Sequence, residues 1–139
     1  MKPRRPIRRD SSRRGRVDTS APYILGHYLY NYPKKRKILV KLARSKCLWE
    51  RRIAMASTLY FIQQRRYQET LEIAEMLLSD KEDLMHKACG WMLREVWKRS
   101  PETAEAFLDR HAALMPRTML RYAIERMEES RRREYLGRK

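Results

Sequence analysis

The stretch SDKEDLMHKACGWMLREVWKRSP, residues 79–101, decides how the rest of the chain is read. Its apolar residues Leu84, Ala88, Met92 and Val96 recur every four positions with charged residues between them, which is the pattern of one face of an α-helix. Ser79 or Asp80 stands where such a helix starts, and Ser100 followed by Pro101 supplies the cap and first-turn pair of the next. Working outward, the same period continues. Toward the C-terminus, Met119, Leu120, Ala123, Ile124 and Met127 mark a last helix. Toward the N-terminus, helices are expected over about 68–79, over about 48–64 with Ile53, Ala56, Leu59 and Tyr60 inward, and from Pro33 onward. That last one turns Ile38, Leu39, Leu42 and Ala43 inward and Lys34, Lys35, Lys37, Lys41 and Arg44 outward. Ser20 can cap one more helix, from about Ala21 to Asn31, with Pro22 in its first turn and Tyr23, Ile24, Tyr28 and Leu29 as its apolar residues. No alternating segment bounded by turn residues is present, so the class is all-α, with six to seven helices.

Short breaks between helices of ten to seventeen residues predict antiparallel pairs, and the chain repeats itself weakly at that scale. Glu69-Thr70-Leu71-Glu72 resembles Glu102-Thr103-Ala104-Glu105 at an offset of 33, and Arg52-Ile53-Ala54 resembles Lys87-Ala88-Cys89 at an offset of 35. A two-helix unit near 34 residues is the size of a helical solenoid repeat, in which each pair covers its neighbour's apolar face. Stepping back 34 from Arg52 reaches Asp18, so Asp18, Arg52 and Lys87 are expected in one row, with Trp91 one turn beyond Lys87 on the same face. Two readings of that row stand open at this point: a functional face, or a core tryptophan and a solvated arginine beside Glu50.

The 139 residues fit one domain, and 33 Lys+Arg against 17 Asp+Glu leave a net charge of +16. Residues 1–16 hold eight of those cations and a single acid, with almost nothing to bury, and are expected to be a disordered basic tail ahead of a domain at 17–139. Such a block is either a solvated tail or an arm that neutralises phosphates, or a segment foreign to the domain. A basic excess of +5 persists between the two charged ends, 1–16 and 131–139, which favours a nucleic-acid partner. No apolar run is long enough to span a bilayer, and no secretory h-region is present. Cys47 and Cys89 are too few and too distant for a disulfide framework, so a reducing, cytoplasmic setting is expected. Glycine-rich phosphate motifs, HExxH, GxSxG and CxxC are all missing, and His27, His86 and His111 have no metal-ligand spacing. No metal and no cofactor are expected. Asp18 is the only acid between Asp10 and Glu50, so its carboxylate sits in a positive local field, whether it works as a helix cap or as a functional group.

Three blocks together carry a resemblance. Val17-Asp18-Thr19-Ser20-Ala21-Pro22-Tyr23-Ile24-Leu25-Gly26, Leu48-Trp49-Glu50-Arg51-Arg52-Ile53-Ala54 and Lys87-Ala88-Cys89-Gly90-Trp91-Met92-Leu93-Arg94-Glu95 resemble the DNA alkylation repair family in order and spacing. Met115-Pro116-Arg117-Thr118 and Leu120-Arg121-Tyr122-Ala123-Ile124-Glu125 are similar to its usual ending. The resemblance implies a HEAT-like helical-repeat solenoid, an α-α superhelix, that acts as a monofunctional DNA glycosylase on cationic purines such as 3-methyladenine and 7-methylguanine in duplex DNA. It implies that Asp18 is the catalytic aspartate and Trp91 the active-site tryptophan. Arg52 would contact DNA, with Lys87, Arg51, Lys41 and Arg44 adding phosphate contacts. It further implies a monomer that binds no membrane and associates with the nucleoid when on DNA. Two departures accompany it. Arg14 stands where the family carries a tryptophan four residues before the aspartate, with Gly15 in place of the first acid, and the repeats that precede this block in the family are missing ahead of Val17. A chain shortened on its N-terminal side is therefore expected, and with it the alternative of a catalytically inert helical-repeat module that binds nucleic acid through a basic concave face.

Overall fold

A computed structural model describes the backbone of residues 14–137 and the side chains of residues 22–137. Among the described residues there are eight α-helices and no strand: α1 Arg14–Asn31, α2 Lys37–Ala43, α3 Leu48–Gln63, α4 Gln68–Met76, α5 Asp83–Arg99, α6 Pro101–His111, α7 Arg117–Ala123 and α8 Glu129–Leu136. Short 3₁₀ turns at Pro33–Lys35 and Ala112–Leu114 precede α2 and α7. The all-α expectation holds, with one helix more than the sequence predicts. That extra helix is α8, whose sequence ESRRREYL has only Tyr135 fully buried, too little apolar signal for a period to be read.

The helices lie in two rows. In the first, α1 packs on α3, α3 on α5 and α5 on α7. The even-numbered helices form the second row, each paired with a first-row neighbour. The expected phase follows: Arg52-Ile53-Ala54 and Lys87-Ala88-Cys89 fall on the first-row helices α3 and α5, while Glu69–Glu72 and Glu102–Glu105 open the second-row helices α4 and α6. The core runs between the rows. It takes Leu29, Leu39, Met55, Phe61, Ile62, Ile73, Met85, Met92, Leu93, Phe107, Leu108 and Met119 among its most deeply buried side chains.

Two glycines set how closely the first row packs. A Cβ on Gly26 would lie 2.2 Å from the Ser57 carbonyl oxygen, and one on Gly90 would lie 2.4 Å from the Tyr122 Cβ and 2.6 Å from the Met119 carbonyl oxygen. Only a residue without a side chain lets α1 meet α3, and α5 meet α7, at this separation.

Hydrogen bonds and ion pairs fasten the helices at both ends of the stack. Arg36, half-buried, donates to the carbonyls of Leu29 (3.0 Å) and Tyr30 (2.7 Å) at the end of α1, where helix carbonyls lack intrahelical partners, and lies over the Phe61 ring. At the far end, the Tyr135 hydroxyl donates to Asp109 (3.0 Å) and Arg131 pairs with Glu105, fastening α8 to α6.

Three local expectations change. First, α1 begins at Arg14 and runs through Pro22, so Asp18 lies inside a helix rather than ahead of one, and residues 14–16 are helical rather than tail. Pro22 has no N–H, so the turn closing on the Asp18 carbonyl lacks its hydrogen bond. The rest of the expected tail, residues 1–13, lies outside the described residues. Second, Ile24, Tyr28 and Ile38 are exposed rather than inward, because α1 and α2 form one end of the stack and have no further helix beyond them among the described residues. Third, Leu84 is 48% exposed; the buried face of α5 is turned toward Met85, Cys89, Met92, Leu93 and Val96.

A candidate nucleic-acid interface

Residues four, seven and eleven positions apart share one face of a helix. On α5 that places Leu84, Lys87, Ala88, Trp91 and Arg94 together, on a face that borders the core through Ala88 and Trp91, and all five line one open cavity of about 290 Å³. Arg52 closes it from α3 and Tyr122 from α7. The cavity therefore spans three first-row helices. Gly90 makes this possible, since it brings α7 against α5 and sets Tyr122 beside Trp91's helix face.

Of the residues expected in the site, Arg52, Lys87 and Trp91 are brought together here. Trp91 answers to both open readings: its indole is half-buried and packed against the core while its remaining surface lines the cavity. Asp18 lies on α1, which packs against the helix carrying Arg52, and its side chain is outside the described ones. Arg51 is placed elsewhere. Its guanidinium is 14% exposed, donates to Asp80 at 2.7 Å and 3.4 Å and to the carbonyls of Ser45 and Lys46, and so binds the start of α3 to the turn before α5. The neighbour of a site arginine in sequence is turned by about 100° around the helix, which here leads into the protein. Lys41, on the second-row helix α2, and Arg44, just past its end, line a different surface with Lys34, Lys35 and Lys37.

Arg94 and Tyr122 were not among the expected site residues. A signal for Tyr122 was available: 35 residues separate Arg52 from Lys87 and another 35 separate Lys87 from Tyr122, so the repeat that defines the row reaches it. Arg94 is two turns beyond Lys87 on the same helix face.

The electrostatics favour an anion. Arg52, Lys87 and Arg94 are cations and no lining residue is acidic. Lys87 pairs with Asp83 at 3.3 Å and Arg94 pairs with Glu125, but both carboxylates are more than 60% exposed. Exposed pairs of this kind contribute little and exchange readily for a phosphate oxygen. A group of opposite need, a cation, would require a carboxylate from beyond these residues. The remaining aromatic candidates stand apart: Trp49 is 40% exposed at the start of α3, and Trp97 donates to Glu105 at 3.0 Å between α5 and α6. Cys89, next to Gly90, is sealed in the core, and burial followed by the Asp80 charge pushes its thiol far up, so it supplies no thiolate. Among the described residues no three His, Cys, Asp or Glu gather as metal ligands, and no helix is long and apolar enough to cross a membrane.

Against known proteins, residues 8–127 match the family model described as DNA alkylation repair enzyme. No curated protein and no solved structure matches the chain.

Proposed function

We propose, for a chain that belongs to the DNA alkylation repair family and so has a role in repairing alkylated DNA, that it is a DNA glycosylase hydrolysing the N-glycosidic bond of cationic alkylated purines such as 3-methyladenine and 7-methylguanine in duplex DNA. The observation that carries this reading is the convergence of Arg52, Lys87 and Trp91, distant in sequence, on one cation-lined cavity.

The chemistry asks for two kinds of site. Phosphates of the duplex need cations, and Arg52, Lys87 and Arg94 offer them without reading sequence. The reacting nucleotide needs the opposite. Alkylation leaves the purine positively charged, so the glycosidic bonding pair departs with it and the base leaves neutral. Positive charge then builds on the deoxyribose, where a carboxylate stabilises it and aligns the attacking water, whose oxygen bonds to the anomeric carbon as one of its O–H bonds breaks and the proton passes to that carboxylate. Asp18 is the residue for that role, and the face of the Trp91 indole supports the same cation. Tyr122 supplies a second aromatic surface in the cavity, which bears on the tryptophan that Arg14 replaces.

The test is release of 7-methylguanine from methylated duplex, scored as free base and as abasic sites. Asp18→Asn should abolish release while binding stays equal or tighter, because the change removes a negative charge and keeps the shape. Undiminished release by Asp18→Asn overturns the assignment of Asp18. A wild-type chain that binds duplex with a steep salt dependence yet releases no base is instead the inert nucleic-acid-binding module.

A further inference from the structure

The segment 34–44 holds six cations and no acid. Their fates differ. Arg36 turns inward, where it donates to the carbonyls that end α1 and faces Glu69 at 3.8 Å. Lys34, Lys35, Lys37, Lys41 and Arg44 stay exposed, and none of these five is in an ion pair among the described residues. At the cavity the arrangement is different, since Lys87 is paired with Asp83 and Arg94 with Glu125.

Holding these five unpaired works against the helix that carries them. α2 has no acid in its first turn, and Lys34, Lys35 and Lys37 crowd the end where the helix dipole is positive. Lys37 and Lys41, four positions apart, repel each other along one face. Among the described residues no carboxylate offsets either effect. Proteins keep such local conflicts chiefly where a function needs them.

The charges also have a direction. Lys34, Lys37, Lys41 and Arg44 step by three, four and three, so they follow one side of the helix over roughly 15 Å at about 1.5 Å per residue. With Lys35 they line one open depression of about 740 Å³, which shares no residue with the cavity of Arg52 and Trp91. A row of point charges suits an extended polyanion better than a small one. One strand of duplex DNA presents a phosphate every ~3.4 Å of axis, so the row is long enough to face about four of them. We infer that this basic row is a second duplex-binding surface, one that holds a segment of DNA other than the segment at the cavity. It selects neither sequence nor lesion, because it meets phosphates alone. Duplex DNA is favoured among polyanions because the chain's family works on alkylated DNA. The inference does not depend on base release.

The experiment titrates the full chain with a short unmodified duplex and counts duplexes per chain by analytical ultracentrifugation. The parent should take two, and the second binding step should weaken with salt at a log–log slope of about −3 to −4, the release expected from about four phosphates. Lys34→Glu/Lys37→Glu should weaken one of the two steps by about tenfold or more. The same variant should melt no lower than the parent, because an acid beside the start of α2 suits the helix dipole. That pairing of lost binding with retained stability is what a purely structural role would not give. Four results overturn the inference: a parent that takes a single duplex, a double variant whose two affinities stay within about threefold of the parent's, a double variant that melts well below the parent, or phosphatidylglycerol vesicles bound through the same lysines as tightly as the duplex. No readout here requires base release, so a chain that releases none tests the row equally well.

Discussion

Replacing Gly90 by alanine tests the packing on which the candidate site depends. The added Cβ would sit 2.4 Å from the Tyr122 Cβ and 2.6 Å from the Met119 carbonyl oxygen, where carbon contacts are normally about 3.5–4.0 Å. Neither atom is the tip of a flexible chain, so α5 and α7 must separate by about 1 Å. Two effects oppose each other. Alanine is favoured over glycine in a helix interior by about 1 kcal/mol, while forcing an extra group into a packed interface costs roughly 1–3 kcal/mol. With both clashes on backbone or Cβ atoms the upper end applies, leaving a net loss of about 2 kcal/mol. For a chain of this size that lowers Tm by roughly 8 °C. The same separation carries Tyr122 away from Trp91, so release of alkylated base should fall below what instability alone explains at a temperature where the variant is folded. Thermal melts of Gly90→Ala beside Gly137→Ala make the comparison, because at Gly137 the nearest atoms are carbonyl oxygens at 3.3 Å and 3.7 Å and the change should stay within about 1 kcal/mol. A Gly90→Ala melt at or above that of the parent would refute the claimed approach of the two helices.

Arg51→Ala removes the ion pair of Asp80, whose carboxylate is only 5% exposed, and should destabilise by about 3 kcal/mol in denaturant titration with duplex affinity within twofold. Arg52→Ala should do the reverse, losing about 1–3 kcal/mol of duplex binding; matching effects for the two would mean the neighbouring arginines had been assigned wrongly. Glu125→Gln frees Arg94 from its rim carboxylate and should tighten duplex binding at low salt, an effect that fades as salt rises; weaker binding would exclude Arg94 from the DNA face. Burial, then the bond to Asp109, pushes the Tyr135 phenol up to about 12. Since the folded value lies above the ordinary one near 10, its contribution is complete below pH 10 and is lost as pH rises toward 12. Tyr135→Phe should flatten that alkaline decline in Tm and lose about 1 kcal/mol at pH 7; an unaltered alkaline slope would trace the decline to another group.

How much of this was legible without coordinates follows from the physics of each signal. Helical period is local, so residues 79–101 disclosed their helix directly, and repetition at 33 to 35 residues disclosed that successive pairs share a phase. Phase is enough to align Arg52 with Lys87, since equivalent positions in stacked units project to one side. The same arithmetic reaches Tyr122, although that arginine–lysine–tyrosine series has no common chemistry to draw the eye. Composition, however, says nothing about rotation around a helix axis. Arg51 and Arg52 are equivalent as letters, and only the packing of α3 turns one onto Asp80 and the other to the cavity. Lys41 and Arg44 read as part of the same basic supply until the second row carries them to another surface. Ile24 and Tyr28 read as core because an apolar stripe implies a neighbour, and whether one is there depends on where the stack ends. Sequence alone determined the class and the repeat, and it nominated residues for a site. The tertiary structure decided which of them meet, because a side chain's surroundings are set by helices that lie far from it along the chain.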